Sequence, residues 1–171
     1  EKDVIDLVKN QTAEVKYTLN PSDTTSDKTV TFASDNAEVA SVDEYGIVTA
    51  NAKGQAVVTI TSNANHEIKG TVTVNVTEVP IDSVVLDKAN ATVEKNSTTT
   101  LTATINPAAT TDDDTTITWS TSNAEVATVA PENSGSGEAV TVTAVNGGTA
   151  TITATTANGK TAVCEIKVPV H

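Results

Sequence analysis

Apolar and polar residues alternate with a period of two over much of the chain. Ile117 and Trp119 are separated by threonine and flanked by threonine and serine. Ala150, Ile152 and Ala154 alternate with Thr149, Thr151 and Thr153, and Cys164, Ile166 and Val168 alternate with Glu165 and Lys167. This alternation predicts strands with one buried and one solvated face. Turn signals separate the runs: Asn106-Pro107, Gly135-Ser136-Gly137, Asn146-Gly147-Gly148 and Asn158-Gly159. No segment carries a convincing helical period, so the pattern predicts an all-β protein.

The pattern is also written twice. TFASDNAEVASV (31–42) returns as TWSTSNAEVATV (118–129) at an offset of 87. Ahead of it, LVKNQTAEVKYTLNP (7–21) lies over VEKNSTTTLTATINP (93–107) at an offset of 86. Behind it, GIVTANAKGQAVVTI (46–60) matches 140–154 at 94, and TVTVNV (71–76) matches VCEIKV (163–168) at 92. The offset drifts only where turns are predicted, which is where insertions are tolerated. Each copy is about the size of one immunoglobulin-type sandwich, and two copies are too few to sustain a solenoid. The expected organisation is two domains, 1–79 and 80–171, joined at Glu78-Val79-Pro80. A short joint containing proline is expected to be stiff.

The copies differ at their starts. The second opens with IDSVVLD (81–87), whereas Glu1 aligns with Asp87, so the first strand of the first copy is expected to be missing from this stretch of chain. A strand supplied by a preceding domain is the lesser alternative. The absence of any methionine suggests a fragment or processed chain, with any export signal upstream.

Composition sharpens the all-β reading. Threonine makes up roughly a fifth of the chain and the bulky apolar residues are mostly valine and isoleucine, side chains suited to a pleated, half-buried surface. Ten basic against 22 acidic residues give a net charge of −12 with no arginine. Without clustered cations, nucleic acid and anionic membrane surfaces are poor partners. No apolar run is long enough to span a bilayer as a helix, so direct membrane insertion is not expected. The lone Cys164 excludes an internal disulfide framework.

The second copy, from VVLD through TLTATINP, TITWSTSNAEVATV and GTATITATT to VCEIKV, resembles the bacterial immunoglobulin-like domain, group 2. That family occurs in intimin-type and invasin-type adhesins and in other surface and phage proteins. Trp119 to Val129 carries the resemblance most strongly, which covers 81–169 and most of 1–78. The first copy departs from it with Phe32 in place of tryptophan. The second departs where a glycine turn, kept as Gly46 in the first, becomes the longer APENSGSGEAVTVTA (130–144). The resemblance implies two tandem immunoglobulin-like β-sandwiches used as structural or adhesive modules, and no shared ligand site.

Candidate chemistry is sparse. Asp112-Asp113-Asp114 offers carboxylates for calcium, but adjacent carboxylates lack the spaced ligands of a calcium loop, and a solvated acidic turn is the better reading. The matching loop of the first copy holds Asp23 and Asp27. His66 stands at an expected hairpin tip without a second ligand or a nucleophile, and His171 is terminal. No serine or cysteine has an activating context, and Cys164 falls on the buried phase of its strand. Trp119 is read as a core residue between sheets, and Phe32 as its counterpart. Asn10, Asn75, Asn90 and Asn96 begin N-x-[ST] triplets, attributed to threonine-rich composition. The loop 130–139 is the most individual surface feature and the first candidate for direct recognition. Threonine-rich strand edges are open in principle to pairing with another chain.

The expected function is therefore that of a non-enzymatic structural or adhesive module of a bacterial cell-surface protein, extending or presenting a binding region. No catalytic, cofactor or metal site is assigned. Expected partners are neighbouring domains of a longer surface protein, and a host protein or glycan is a further candidate. Direct ligand binding is the first alternative. An accessory role on a phage structural protein or a secreted polysaccharide-degrading enzyme is the second.

Overall fold

In the computed structural model, residues 3–20 and 25–170 are described. Every regular element among them is a strand, and the chain divides into two compact units, Glu1–Val79 and Pro80–His171.

The first unit contains β1 (Asp3–Val8), β2 (Thr12–Glu14), β3 (Val30–Ser34), β4 (Ala40–Val42), β5 (Ile47–Ala50), β6 (Gly54–Ser62) and β7 (Lys69–Thr77). They form one sheet in the order β1-β7-β6-β3 and another in the order β2-β5-β4. Between the sheets lies a core that includes Leu7, Val15, Val48, Val58 and Val74, with Phe32 packed against it.

The second unit contains β8 (Ser83–Leu86), β9 (Asn90–Thr92), β10 (Thr98–Asn106), β11 (Ile117–Thr121), β12 (Ala127–Ala130), β13 (Asn133–Ser134), β14 (Ala139–Ala144), β15 (Gly148–Thr156) and β16 (Thr161–Val168). Its sheets run β12-β14-β10-β8 and β13-β11-β15-β16-β9. Its core includes Ile81, Leu101, Ile117, Trp119, Val140, Ile152, Cys164 and Ile166.

The predicted alternation is visible strand by strand. On β15 the side chains of Ala150, Ile152, Ala154 and Thr156 are buried while the threonines between them are partly exposed. Burying one valine or isoleucine side chain fully contributes about 1.5–3 kcal/mol, so a period-two run fixes which face turns inward.

The repeat carries over into topology. β1 pairs in parallel with β7 (Asp3↔Val72 through Val8↔Thr77), and β9 pairs in parallel with β16 (Asn90↔Glu165 through Thr92↔Lys167). At the offset of 86, β1 is thus the counterpart of β9, and β2 is the counterpart of the first half of β10. Two features of the second unit have no counterpart strand among the described residues of the first. One is the edge strand β8, which pairs antiparallel with Ala103–Asn106 of β10. The other is the short β13, added beside β11 by the longer loop.

Candidate functional site

The repeated dodecamer is a strand followed by a pinned turn. In the first unit the N–H groups of Val39 and Ala40 both donate to the Asn36 carbonyl, at 3.2 and 3.0 Å. In the second, Val126 and Ala127 donate to the Asn123 carbonyl, each at 3.1 Å. A hydroxyl on the strand closes each turn: Ser34 Oγ donates to the Ala40 carbonyl and Thr121 Oγ1 to that of Ala127. The turn presses its valine onto a distant glycine. A Cβ on Gly54 would stand 2.9 Å from Val39 Cγ2, and one on Gly148 would stand 3.0 Å from Val126 Cγ2. Both glycines have strongly positive φ, +150° and +143°.

Trp119 is 3% exposed, and its indole N–H donates to Ser134 Oγ at 2.9 Å. Burying an indole leaves its N–H in need of an acceptor, and β13 brings one. In the first unit Phe32 needs none. Its ring instead lies over Gly46, where a Cβ would come within 2.7 Å of Cζ, and it meets Tyr17 edge-on at 5.8 Å. The ring identity and the following loop therefore change together: tryptophan with the long loop, phenylalanine with the tight glycine turn.

The loop 130–139 is built into its sandwich. The Trp119 backbone N–H donates to the Glu132 carbonyl at 2.7 Å, Ile105 N–H to Ser136 Oγ at 2.9 Å, and Gly137 N–H to the Ala103 carbonyl at 2.8 Å. Glu138 turns back onto the Gly135 N–H at 2.7 Å. The segment singled out as the most individual surface feature thus satisfies backbone groups at the edges of both sheets.

The acidic run is divided among separate tasks. Asp112 Oδ2 accepts the Ile81 N–H at 2.8 Å, while the Ile81 carbonyl accepts Asn158 Nδ2 at 2.8 Å, so β8 is clipped at its start from both sides. Asp114 Oδ1 accepts the Thr116 N–H at 2.9 Å, and in the first unit Asp27 does the same for Thr29 at 2.8 Å. Those backbone N–H bonds, with the adjacent threonine hydroxyls, hold both carboxyls below the ordinary aspartate value. Asp23 lies outside the described residues. Among the described residues no three histidine, cysteine, aspartate or glutamate side chains converge on a point that could hold a metal ion.

His66 sits in the β6–β7 hairpin with Asn63, Ala64, Asn65 and Glu67 around a shallow dent. Cys164 is fully buried, and burial, reinforced by the negative charge of Asp87, raises its thiol above the ordinary value. His171 lies outside the described residues.

Three of the N-x-[ST] asparagines have a structural task that sequence reading missed. Asn10 and Asn96 take left-handed backbone, φ +74° and +63°, at equivalent turns. Asparagine tolerates that region better than most side chains, and the matched Lys-Asn pairs were the signal available. Asn75 bridges two strands, donating to Asp6 Oδ1 at 2.8 Å and accepting from Gln55 Nε2 at 2.9 Å.

The model of the bacterial Ig-like domain (group 2) matches residues 3–74 and again 80–166. The chain belongs to this family. Two copies of the bacterial Ig-like domain thus account for both units. Among solved structures, domains 4 and 5 of the S-layer protein SbsC are 26% identical, with a TM-score of 0.55, over 93% of this chain and 80% of that one. The longer S-layer fragment rSbsC(31-844) is 27% identical, with a TM-score of 0.56, over 83% of this chain. This chain spans only 20% of that fragment's length. A C-terminal fragment of intimin, solved with the intimin-binding domain of its translocated receptor, matches at 17% identity and a TM-score of 0.38. No curated protein sequence matches the chain.

Proposed function

We propose that this pair of bacterial Ig-like domains is a non-enzymatic structural module of a bacterial cell-surface protein, holding a binding region of that protein away from the cell. The observation that carries this reading is the match to two consecutive domains of an S-layer protein, 26% identical over 93% of the chain. The fate of the polar side chains supports it. Asp112, Ser134, Ser136, Asn158 and the Trp119 N–H are engaged in fastening strands and loops to one another. The loop 130–139, the first candidate for direct recognition, has the same occupation.

Exchange of the module tests this reading. In the parent protein, residues 1–171 are replaced by two unrelated immunoglobulin-like sandwiches of similar length. A spacer role predicts that surface display and adhesion persist, whereas deleting both domains impairs them. Loss of adhesion on exchange, with display intact, would overturn the proposal in favour of direct recognition by these domains.

A further inference from the structure

The two units differ most where the second holds β8. There, Ala103, Thr104, Ile105 and Asn106 pair antiparallel with Leu86, Val85, Val84 and Ser83. The strand packs against β15 and β16 and buries Ile81 and Val84. At the offset of 86 the same four positions in the first unit are Tyr17, Thr18, Leu19 and Asn20. They form no strand, and the sheet ends at β2. In place of a paired strand there is an open groove of about 230 Å³, whose apolar lining includes Tyr17, Leu19, Val30, Ile60, Ile68 and Val72. Its walls are the counterparts of β10, β15 and β16, the same three strands that enclose β8. Tyr17 and Ile68, on facing walls, are 46% and 54% exposed.

We infer that this groove is a strand acceptor. Its occupant is an extended segment of β8's chemistry, with apolar side chains at the positions of Ile81, Val84 and Leu86, entering from the Glu1 end. The second unit shows what fills the space, and the rim suits its charge. Two lysines, Lys16 and Lys69, and one carboxylate, Asp3, border the groove, while the β8 segment carries Asp82 and Asp87 at its ends. Backbone groups are available as well. Thr102 and Asn106 accept the N–H groups of Asp87 and Asp82, so alternation turns positions 102, 104 and 106 toward β8. Their counterparts Lys16, Thr18 and Asn20 face the groove. This is strand addition to an open edge: main-chain hydrogen bonds supply adhesion and alternate side chains supply selectivity.

The test is residue-resolved amide exchange on the whole 171-residue chain, alone and with PIDSVVL fused directly ahead of Glu1, which then takes the place of Asp87. The acceptor reading predicts that the Thr18 and Asn20 amides exchange about tenfold or more slowly in the fusion, as paired strands do. A control fusion with aspartate at the positions matching Ile81, Val84 and Leu86 is expected to leave them unprotected. The free peptide PIDSVVLD, at millimolar concentration, is expected to give the same protection more weakly. Three results would overturn the proposal: unchanged exchange in the fusion, equal protection by the control, or full protection in the unfused chain through self-association seen by sedimentation.

Discussion

Adding one methyl group at Gly148 tests the reading of the repeated dodecamer. At φ +143° an alanine is strained, and its Cβ would meet Val126 Cγ2 at 3.0 Å, closer than ordinary van der Waals contact. Val126 has little room to retreat, because its own N–H and that of Ala127 are tied to the Asn123 carbonyl. Backbone strain of this kind costs about 1–3 kcal/mol and overpacking a further 1–3 kcal/mol. A total near the middle, about 4 kcal/mol, can be converted to temperature. The second unit, Pro80–His171, unfolds with an entropy of about 0.2 kcal/mol/K at about 2.1 cal/mol/K per residue, so Gly148→Ala is predicted to lower its Tm by about 20 °C. Trp119, the single tryptophan, lies in this unit, so its fluorescence reports that transition. Gly159→Ala separates the two effects, since Gly159 also has positive φ, +85°, but nothing stands within 4 Å of its Cβ. It is expected to show the strain alone, a drop of about 5–15 °C. If Gly148→Ala melts no lower than Gly159→Ala, the close approach of Val126 contributes nothing and the account of the turn fails.

Other consequences can be checked separately. Trp119→Phe removes the N–H that donates to Ser134 and leaves a void, so urea unfolding followed by circular dichroism is expected to show a loss of about 2–3 kcal/mol. Adding Ser134→Ala to that variant is expected to recover part of the loss, by removing the hydroxyl left without its partner. Acid should weaken the second unit. Hydrogen bonds from Thr116 lower the Asp114 carboxyl; at Asp87, partial burial pushes the other way, but the Thr102 N–H and Lys88 outweigh it. Carboxyls depressed in the folded state stabilise it fully above the unfolded value, about 3.9, and lose that contribution as pH falls through the folded values. The Tm should therefore hold from pH 7 to about 5 and fall below about 4, with a shallower acid limb in Asp114→Asn. Cys164, fully buried with its thiol raised by burial, is expected to resist thiol reagents in the native protein and react at once in guanidinium. Rapid labelling of the native chain would contradict its placement.

Much of this architecture was legible in the sequence because a period of two is a local signal. Ile117, Trp119, Ile152, Cys164 and Ile166 lie inward as their alternation predicts. The repeat itself pointed to two sandwiches, and the family match covers both copies. What local pattern does not encode is contact across the chain. Nothing near Gly148 announces that Val126 will press on it. Nothing in NAT (90–92) or DVIDLV (3–8) announces the parallel pairing of β9 with β16 or β1 with β7. The loop 130–139 looked like an independent surface feature because glycine, serine and glutamate read as polar. Glu132, Ser134, Ser136 and Gly137 instead complete hydrogen bonds for β10 and β11, and that role depends on strands brought alongside only by folding. The acidic run reads in sequence as a solvated turn, and nothing in it announces that Asp112 and Asp114 bind backbone groups at two separate places.

The central claim, a structural module displayed on a bacterial surface, is tested most directly by antibody labelling of intact producing cells beside purified phage particles from the same culture. Labelling of cells that disappears after brief surface proteolysis is the predicted result. Labelled particles with unlabelled cells would contradict the claim and make the pair of domains part of a virion.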